Sequence, residues 1–233
     1  MTEELFRQDS YLRECEADVI AVGDDGIVLN RTVFYPLGGG QPGDTGTLTW
    51  DGGSTPIVAT RYGGDGSIRH IAADAAALPA VGTTVRASLD WELRYRHMRM
   101  HTAMHLLGSV LQYGVTGGNI SAEKSRLDFD MEDTVDKEAV GAALTKLVAA
   151  DHPVSCRWIS EEELDAQPEL VRTMSVQPPR GKGSVRLLEI QDVDLQPCGG
   201  THLRSTSEVG AVRIGKVEKK GKRNRRVNIH LDD

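Results

Sequence analysis

The spacing of apolar residues changes near residue 90 and divides the chain into two parts. Up to that point, short apolar runs are separated by glycine-rich turns such as Gly23–Gly26, a pattern typical of β-strands. The strands predicted there are Cys15–Val22, Ile27–Asn30, Thr45–Trp50, Pro56–Tyr62, Ile68–Ile71 and Thr84–Trp91. Many short strands at close spacing predict a small barrel or sandwich.

After Trp91 the apolar positions recur every three or four residues, which predicts helices among further strands. The predicted helices are Glu92–Gln112, Val135–Ala150 and Glu161–Asp165. The predicted strands are Ser125–Met131, Val154–Ile159, Val185–Ile190, Ala211–Val217 and Arg225–Leu231, the last two as a hairpin with a lysine-rich tip. Asp128 and Asp130 are expected to be solvated carboxylates at a sheet edge. This order predicts an α+β fold with a domain boundary near residue 90.

The composition is that of a globular protein with one large or two modest domains. Of the 233 residues, 26% are charged and 39% are hydrophobic, which argues against disorder. No apolar run is long enough to span a bilayer, and the N-terminus lacks the basic and apolar regions of a signal peptide. The three cysteines form no disulfide framework. We therefore expect a cytoplasmic protein without a membrane partner, and we favour a monomer.

Charge is unevenly distributed along the chain. The net charge is −7, and it arises in residues 1–90, which contain six basic and 13 acidic residues, whereas the rest of the chain has 21 of each. Overall acidity argues against nucleic acid as a partner, but polyanion binding depends on the local patch. Two basic clusters are present, namely Arg94, Arg96 and Arg99 in the long helix and Lys216, Lys219, Lys220, Lys222, Arg223, Arg225 and Arg226 near the C-terminus. If the second cluster binds no polyanion, its charges are simply those of a solvated hairpin tip.

Two pairs of metal-ligand residues share a four-residue spacing. His101 and His105 lie one turn apart on one face of the long helix, while Cys198 and His202 bracket two glycines in a predicted loop. Each pair alone is explained by ordinary histidines or a small buried thiol. Together, one cysteine and three histidines favour zinc over calcium or magnesium. The sequence therefore predicts one Zn²⁺ per chain in a site assembled from distant segments.

Five segments occur in the order seen in alanyl-tRNA editing proteins. They are FYPLGGGQPGDTG (34–46), RMHTAMHLL (99–107), RLDFDM (126–131), CGGTH (198–202) and KGKRNRR (220–226). The chain thus resembles the AlaX family, the free-standing relatives of the editing domain of alanyl-tRNA synthetase, and in particular its medium form. The resemblance implies an N-terminal small β-barrel domain over residues 1–90, followed by an α/β two-layer sandwich editing domain over residues 91–233.

The resemblance also implies a function and the residues that carry it. The expected activity is deacylation of mischarged tRNA(Ala), Ser-tRNA(Ala) and also Gly-tRNA(Ala), with zinc bound by His101, His105, Cys198 and His202. Substrate positioning is expected from the glycine-rich loop residues Gly38, Gly39, Gly40, Gln41 and Asp44. Under this interpretation the two basic clusters contact acceptor-end phosphates. The chain departs from the pattern of the synthetase editing domain at two places. Met104 stands where that domain usually has threonine, and Val115–Gly118 stands where it commonly has Gln-Lys-Gly-Ser.

The mechanism has two alternatives at this stage, and no catalytic residue is assigned. Four protein ligands close a tetrahedral zinc site, whereas catalytic zinc usually keeps one position open for water. Either a ligand is displaced and zinc activates water, or zinc positions the substrate amine or hydroxyl. We favour positioning, because Thr102 stands where HExxH proteases carry a glutamate base. Two other functions are a zinc-stabilised tRNA-binding module without turnover and a related hydrolase for another aminoacyl-tRNA or a small ester.

Overall fold

A computed structural model of the chain describes residues 2–174, 177–178, 180–181 and 183–232. The structure is mixed α/β and divides into two compact units, Met1–Tyr95 and Arg96–Asp233. The division lies inside a helix, slightly beyond the predicted boundary near residue 90. Within the described ranges all three cysteines are unbridged, and no helix has the length and apolarity needed to cross a bilayer.

In the first unit, six antiparallel strands close into a barrel. Of the two architectures predicted for this region, a small barrel or a sandwich, the barrel is therefore correct. The strands of this unit are β1 (Glu3–Glu4), β2 (Glu14–Gly23), β3 (Gly26–Leu29), β4 (Arg31–Thr32), β5 (Gly46–Trp50), β6 (Gly53–Tyr62), β7 (Ile68–Ala72) and β8 (Thr84–Leu89), with a short helix α1 (Leu5–Gln8). The barrel order is β2-β3-β7-β6-β5-β8, and β1 pairs with β4 in parallel.

Alternation of apolar and polar residues fills the barrel interior. In β8, Val85, Ala87 and Leu89 are buried while the residues between them face outward, as a two-residue period requires. The predicted turn before β3 is a two-residue hairpin loop of Asp24 and Asp25, and Gly26, which follows it, has a φ of +125°. A Cβ at Gly26 would lie 2.9 Å from the carbonyl oxygen of His70, so only glycine fits this turn.

The second unit contains two sheets and most of the helical residues. Its helices are α2 (Trp91–Leu111), which begins before the division, α3 (Lys137–Ala149) and α4 (Glu161–Asp165). Its strands are β9 (Val115–Asn119), β10 (Lys124–Asp130), β11 (Val154–Ser160), β12 (Ser184–Ile190), β13 (Asp194–Pro197), β14 (Val212–Gly221) and β15 (Asn224–Leu231). One sheet has the order β14-β15-β10-β9, and the other has the order β11-β12-β13.

Local sequence explains where the helices of this unit begin. The Asp136 side chain accepts hydrogen bonds from the backbone N–H groups of Glu138 and Ala139, which caps α3. Ser160 and Glu163 form a reciprocal capping box at the start of α4. Helix α3 contacts β14, and α4 contacts β11 and β12.

Three features differ from the sequence-based predictions. Strands β9 and β13 were not predicted, because one is glycine-rich and the other has only four residues. The basic hairpin has a tip of two residues rather than a long lysine-rich loop, since Lys219 pairs with Arg225 inside the ladder. Asp128 is not a solvated edge carboxylate. It lies on the central strand β10, is only 8% exposed, and forms ion pairs with Arg126 and Arg226.

Candidate metal centre

Helix α2 supplies two of the four predicted metal ligands. Asp90 precedes the helix, and its side chain accepts a hydrogen bond from the Leu93 N–H at 3.1 Å. The four-residue spacing then places His101 and His105 on one side of the helix, with ring centroids 5.2 Å apart. Both histidines are 8% exposed, so the helix presents them in the interior of the second unit.

The loop after β13 supplies the other two ligands. Cys198 is held at its start, because its N–H donates to the carbonyl oxygen of Arg186 at 3.1 Å. The buried Arg186 guanidinium in turn donates from one nitrogen to the carbonyl oxygens of Cys198 and Gly200, each at 2.9 Å. These bonds fix the backbone of the loop, which turns His202 back towards the cysteine.

The structure brings the four predicted ligands together. One ligand atom from each of His101, His105, Cys198 and His202 lies within 4.8 Å of all the others. The Cys198 Sγ is 3.6 Å from His101 Nε2 and 3.1 Å from His202 Nε2. Ligands of a tetrahedral zinc ion, with bonds of about 2.0–2.3 Å, stand roughly 3.4–3.7 Å apart. The cluster therefore has the size and the donor chemistry of a metal site.

Polar partners fix the orientation of two of the imidazoles. His105 Nδ1 lies 2.9 Å from Asp194 Oδ2, which leaves Nε2 to face the cluster. Gln196 donates to the same Asp194 oxygen at 2.7 Å. The Thr102 hydroxyl lies 3.2 Å from His202 Nδ1, and it also accepts from the Leu203 N–H. A ligand histidine commonly has such a partner on its second nitrogen, which sets its tautomer and ring direction.

Burial and mutual charge shift the pKa values inside the cluster. Burial raises the pKa of the Cys198 thiol, but His101 and His202 lower it well below its usual value. Burial and the charge of His101 hold the pKa of His202 well below its usual value. Burial lowers the pKa of His105, but Asp194 and Cys198 raise it to about 10. The cluster thus favours a thiolate and a neutral His202, the forms that bind metals, whereas His105 has to lose a proton when a metal ion binds.

The predicted substrate loop lies in the first unit and has two different halves. Gly39 and Gly40 are exposed, and the turn between Gly38 and Gln41 is closed by two backbone hydrogen bonds. Asp44 is buried, where its carboxylate accepts from the Tyr35 N–H at 2.5 Å and from Arg94. Gln41 is likewise buried. The exposed half is accessible to a ligand, whereas the Asp44 carboxylate is occupied inside the unit.

The predicted tRNA-binding residues differ in accessibility. Arg94 is fully buried, and its guanidinium bonds to Asp44 and to the carbonyl oxygens of Ser10 and Val33, which does not fit a phosphate contact. Arg225 is also buried, between backbone carbonyls at the end of the hairpin. The remaining members are partly or fully exposed, namely Arg96, Arg99, Lys216, Lys219, Lys220, Lys222, Arg223 and Arg226.

Sequence reasoning missed the side chains that support the ligands. Asp194 and Gln196 alternate along β13, four and two residues before Cys198, so both lie on one face of that strand. Their alternation in the run Asp194–Pro197 was the available signal, but it is too short to predict a strand. Thr102 was noted in the sequence only as standing where HExxH proteases carry a glutamate, and its contact with His202 depends on a segment 100 residues away.

Comparison with known proteins identifies the family. A model described as "tRNA synthetases class II (A)" matches residues 6–93, and one described as "Threonyl and Alanyl tRNA synthetase second additional domain" matches residues 185–228. Alanyl-tRNA editing protein AlaX-M of Methanosarcina acetivorans is 39% identical, with 100% of both chains covered. AlaX-M of Saccharolobus solfataricus is 35% identical over 97% of this chain and 98% of its own.

The same region occurs inside a larger enzyme. The alanine–tRNA ligase of Archaeoglobus fulgidus is 35% identical over 93% of this chain, which corresponds to 24% of the ligase. The AlaX-M proteins, by contrast, match over 97–100% of this chain and 98–100% of their own length. At this identity and coverage, the chain belongs to the family of alanyl-tRNA editing proteins, in its AlaX-M form.

Proposed function

We propose that the chain is a zinc-dependent deacylase that hydrolyses the ester of mischarged tRNA(Ala), with Ser-tRNA(Ala) and Gly-tRNA(Ala) as substrates. The observation that carries the proposal is the convergence of His101, His105, Cys198 and His202 within 4.8 Å in the second unit. The names of the relatives support tRNA(Ala) editing as the process. The second unit, Arg96–Asp233, is then the editing domain, since it contains every member of the cluster.

The donor set fits zinc. A thiolate and three imidazoles suit a borderline-soft ion, and the spacing of the ligand atoms is close to that of a tetrahedral site. When bound, zinc would supply a Lewis acid that polarises the substrate or selects its amine or hydroxyl. Asp194 and Gln196 orient His105, and Thr102 orients His202.

The position after His101 supports substrate positioning rather than proton abstraction by a neighbouring side chain. The Thr102 hydroxyl is buried and is engaged with His202 and with the Leu203 N–H. A general base has to reach the attacking water and accept its proton. Thr102 therefore acts on the ligand set, and the protein holds the ester in place for water.

Deacylation assays on three aminoacyl-tRNAs test this function. The purified protein is incubated with seryl-, glycyl- and alanyl-tRNA(Ala), and the release of each amino acid is followed. We expect release of serine and glycine while alanine is spared. Cys198→Ala should abolish bound zinc and release together, and full activity of a zinc-free variant would refute the metal's role.

A zinc-stabilised RNA-binding module without turnover is the second candidate. The observation in its favour is the same four-ligand set, because four protein ligands are typical of structural zinc sites. Binding of seryl-tRNA(Ala) without release of serine is the result that selects this candidate. If none of the three tRNAs is bound or hydrolysed, the substrate belongs to another aminoacyl-tRNA or ester class.

The exposed basic residues form the proposed tRNA surface. On the β14–β15 hairpin, Lys219, Lys220, Lys222 and Arg223 are exposed, and Arg96 and Arg99 on α2 are partly exposed. Glu218 neutralises part of this charge through contacts with Lys216 and Lys220. Replacing Lys219 and Lys222 with alanine should weaken tRNA binding and reduce the salt slope by about one per lost phosphate contact. Arg213→Ala, at the other end of β14 and paired with Asp232, is the matched control.

A further inference from the structure

Trp158 on β11 is an unusually exposed aromatic residue. It is 53% exposed, whereas Trp50 and Trp91, the other tryptophans of the chain, are partly buried. Single apolar side chains on a surface are common and need no function. The position of Trp158 in its sheet is what sets it apart.

The register of the three-stranded sheet aligns Trp158 with a metal-ligand candidate. Trp158 pairs directly with Arg186 on β12. The backbone carbonyl oxygen of Arg186 in turn accepts a hydrogen bond from the Cys198 N–H. Leu187 pairs with Pro197 on β13, so Arg186 and Cys198 are the next residues in the same register. Trp158, Arg186 and Cys198 therefore form one row across three strands. Neighbouring strands are about 4.8 Å apart, so the Cα atoms of Trp158 and Cys198 are separated by roughly 10 Å.

Trp158 lies on the sheet face that carries the support for His105. Cys156, two residues earlier, pairs with Leu188, which pairs with Gln196. Paired residues share a face, so Trp158 and Gln196 are on the same side of the sheet. Gln196 and Asp194 both contact His105 from this side. The opposite face packs in a separate apolar cluster that includes Ile159, Val185 and Leu187.

On this face, the edge strand β11 is open to solvent. Cys156 and Trp158 on β11 are exposed, whereas Arg186, Leu188 and Ile190 on β12 are buried. Cys198 is the most exposed of the four ligand candidates, and Gly199 beside it is exposed as well. Cys198 and Gly199 therefore give the cluster its most solvent-exposed edge, in the same row of the sheet as Trp158.

The charges around Cys156 agree with this arrangement. Desolvation raises the pKa of the Cys156 thiol, while Arg186 lowers it and Cys198 raises it. Both groups therefore lie close to the side chain two residues before Trp158.

We propose that Trp158 is a stacking platform for the terminal adenine of the aminoacyl-tRNA. The inference rests on the proposed function, because every substrate of such an enzyme carries its amino acid on a 3′-terminal adenosine. A nucleoside whose ester lies at the cluster spans about the distance that separates Cys198 from Trp158. The terminal base is unpaired, and an exposed indole presents the flat apolar surface on which such bases stack.

Binding of a small probe tests the platform without turnover. The probe is 3′-deoxy-3′-(L-serylamino)adenosine, an amide analogue of the seryl ester end. We expect it to quench tryptophan fluorescence in the zinc-loaded protein, and Trp158→Ala to remove the quenching and weaken binding by about 5- to 150-fold in calorimetry. Trp158→Phe, which keeps an aromatic face, should remain within a few-fold of the wild type. The uridine counterpart, with its smaller base, should bind more weakly than the adenosine probe.

Deacylation kinetics separate this proposal from the proposed function. With Ser-tRNA(Ala), Trp158→Ala should raise KM and change kcat little, while zinc content and the circular dichroism spectrum stay unchanged. Arg157→Ala, on the opposite face of the same strand, is the matched control in the probe assay. If the wild type deacylates and Trp158→Ala matches it in KM and in probe affinity, the platform is refuted and the function stands. A wild type that releases no serine refutes the function, and the probe titration still decides the platform.

Discussion

At the scale of single residues, the centre depends on side chains that touch no metal. Asp194 is buried, and its two carboxylate oxygens contact different partners. Oδ2 contacts His105 and Gln196, and Oδ1 lies beside Arg172. Such a carboxylate fixes the ring of the ligand histidine and increases its basicity. Cys198 and His202 can be predicted from their own spacing, whereas the role of Asp194 emerges only when β13 pairs in the sheet.

Replacing Asp194 with asparagine should weaken metal binding. Removal of such a partner typically costs about 10- to 100-fold in metal affinity. Competition with a chromophoric chelator measures the dissociation constant directly. Asp192→Asn is the control, because Asp192 is exposed and has a φ of +61°, a conformation that asparagine tolerates. Equal affinities of the Asp194→Asn variant and the wild type would contradict the positioning role.

Asp44 was predicted to bind substrate, but its carboxylate is paired with the fully buried Arg94. Asp44→Asn leaves that guanidinium without its counter-charge, so we expect the first unit to lose about 3–5 kcal/mol of unfolding free energy. Denaturant unfolding followed by circular dichroism measures the loss. Glu14→Gln, which breaks the exposed pair with Arg86, should leave the midpoint almost unchanged. A stable Asp44→Asn variant with impaired substrate binding would instead support the substrate role.

At the scale of elements, the barrel strands are joined by a buried histidine. The Nδ1 atom of His70 on β7 is 3.0 Å from the carbonyl oxygen of Ile27 on β3. The Nε2 atom of the same ring is 2.8 Å from the Thr32 hydroxyl. A neutral ring satisfies both contacts, donating from Nδ1 to the carbonyl and accepting at Nε2 from the hydroxyl. Burial lowers the pKa of His70 to about 4, although the Ile27 carbonyl opposes the shift.

The His70 pKa predicts a loss of barrel stability in acid. Between about pH 6.5 and 4 the unfolded chain binds a proton at this residue that the folded barrel does not. The stabilisation of the folded barrel by neutral His70 is therefore complete above pH 6.5. It declines as the pH falls towards 4, by on the order of 3 kcal/mol. The free energy of unfolding, measured in urea, should differ less between pH 7.5 and pH 5 for His70→Asn than for the wild type. An equal difference in the two proteins would exclude His70 as the cause.

The elements themselves were predictable to different degrees. Strands such as β8 follow from apolar spacing, because burial on one side imposes the two-residue period. Helix α2 was also predicted from its apolar spacing, although every residue from Met100 to Ser109 is buried. The five residues of β9, VTGGN, have almost no apolar content, and their strand exists because β10 pairs with them. Strand β13 likewise depends on β12. Elements that depend on a distant partner cannot be predicted from their own residues.

At the scale of the whole molecule, charge and chemistry are divided between the two units. The acidic excess lies in the barrel unit, whereas the metal-ligand cluster and the exposed basic hairpin belong to the second unit. The four ligands come from α2 and from the loop after β13, so a bound ion ties together distant parts of the second unit only. Loss of the ion should therefore affect one unit and not the other.

Chelation should destabilise the second unit selectively. A ligand that binds only the folded state stabilises it, by about 4 kcal/mol at a thousand times the dissociation constant. Hydrogen exchange with and without a zinc chelator should show faster exchange in β10, β12 and β15, while β2 and β8 exchange as before. Cys198→Ala, already unable to complete the cluster, should be insensitive to the chelator. Faster exchange in the barrel strands as well would contradict independent stability of the units.

The long separation between the ligand pairs has a consequence during protein synthesis. His101 and Cys198 are 97 residues apart, and translation at about 5–20 residues per second takes roughly 5–20 s to cover that distance. The nascent chain therefore presents His101 and His105 for several seconds before Cys198 and His202, the other two ligands of the site, exist. Capture of the ion by all four ligands therefore has to wait until the loop that carries Cys198 and His202 has been synthesised.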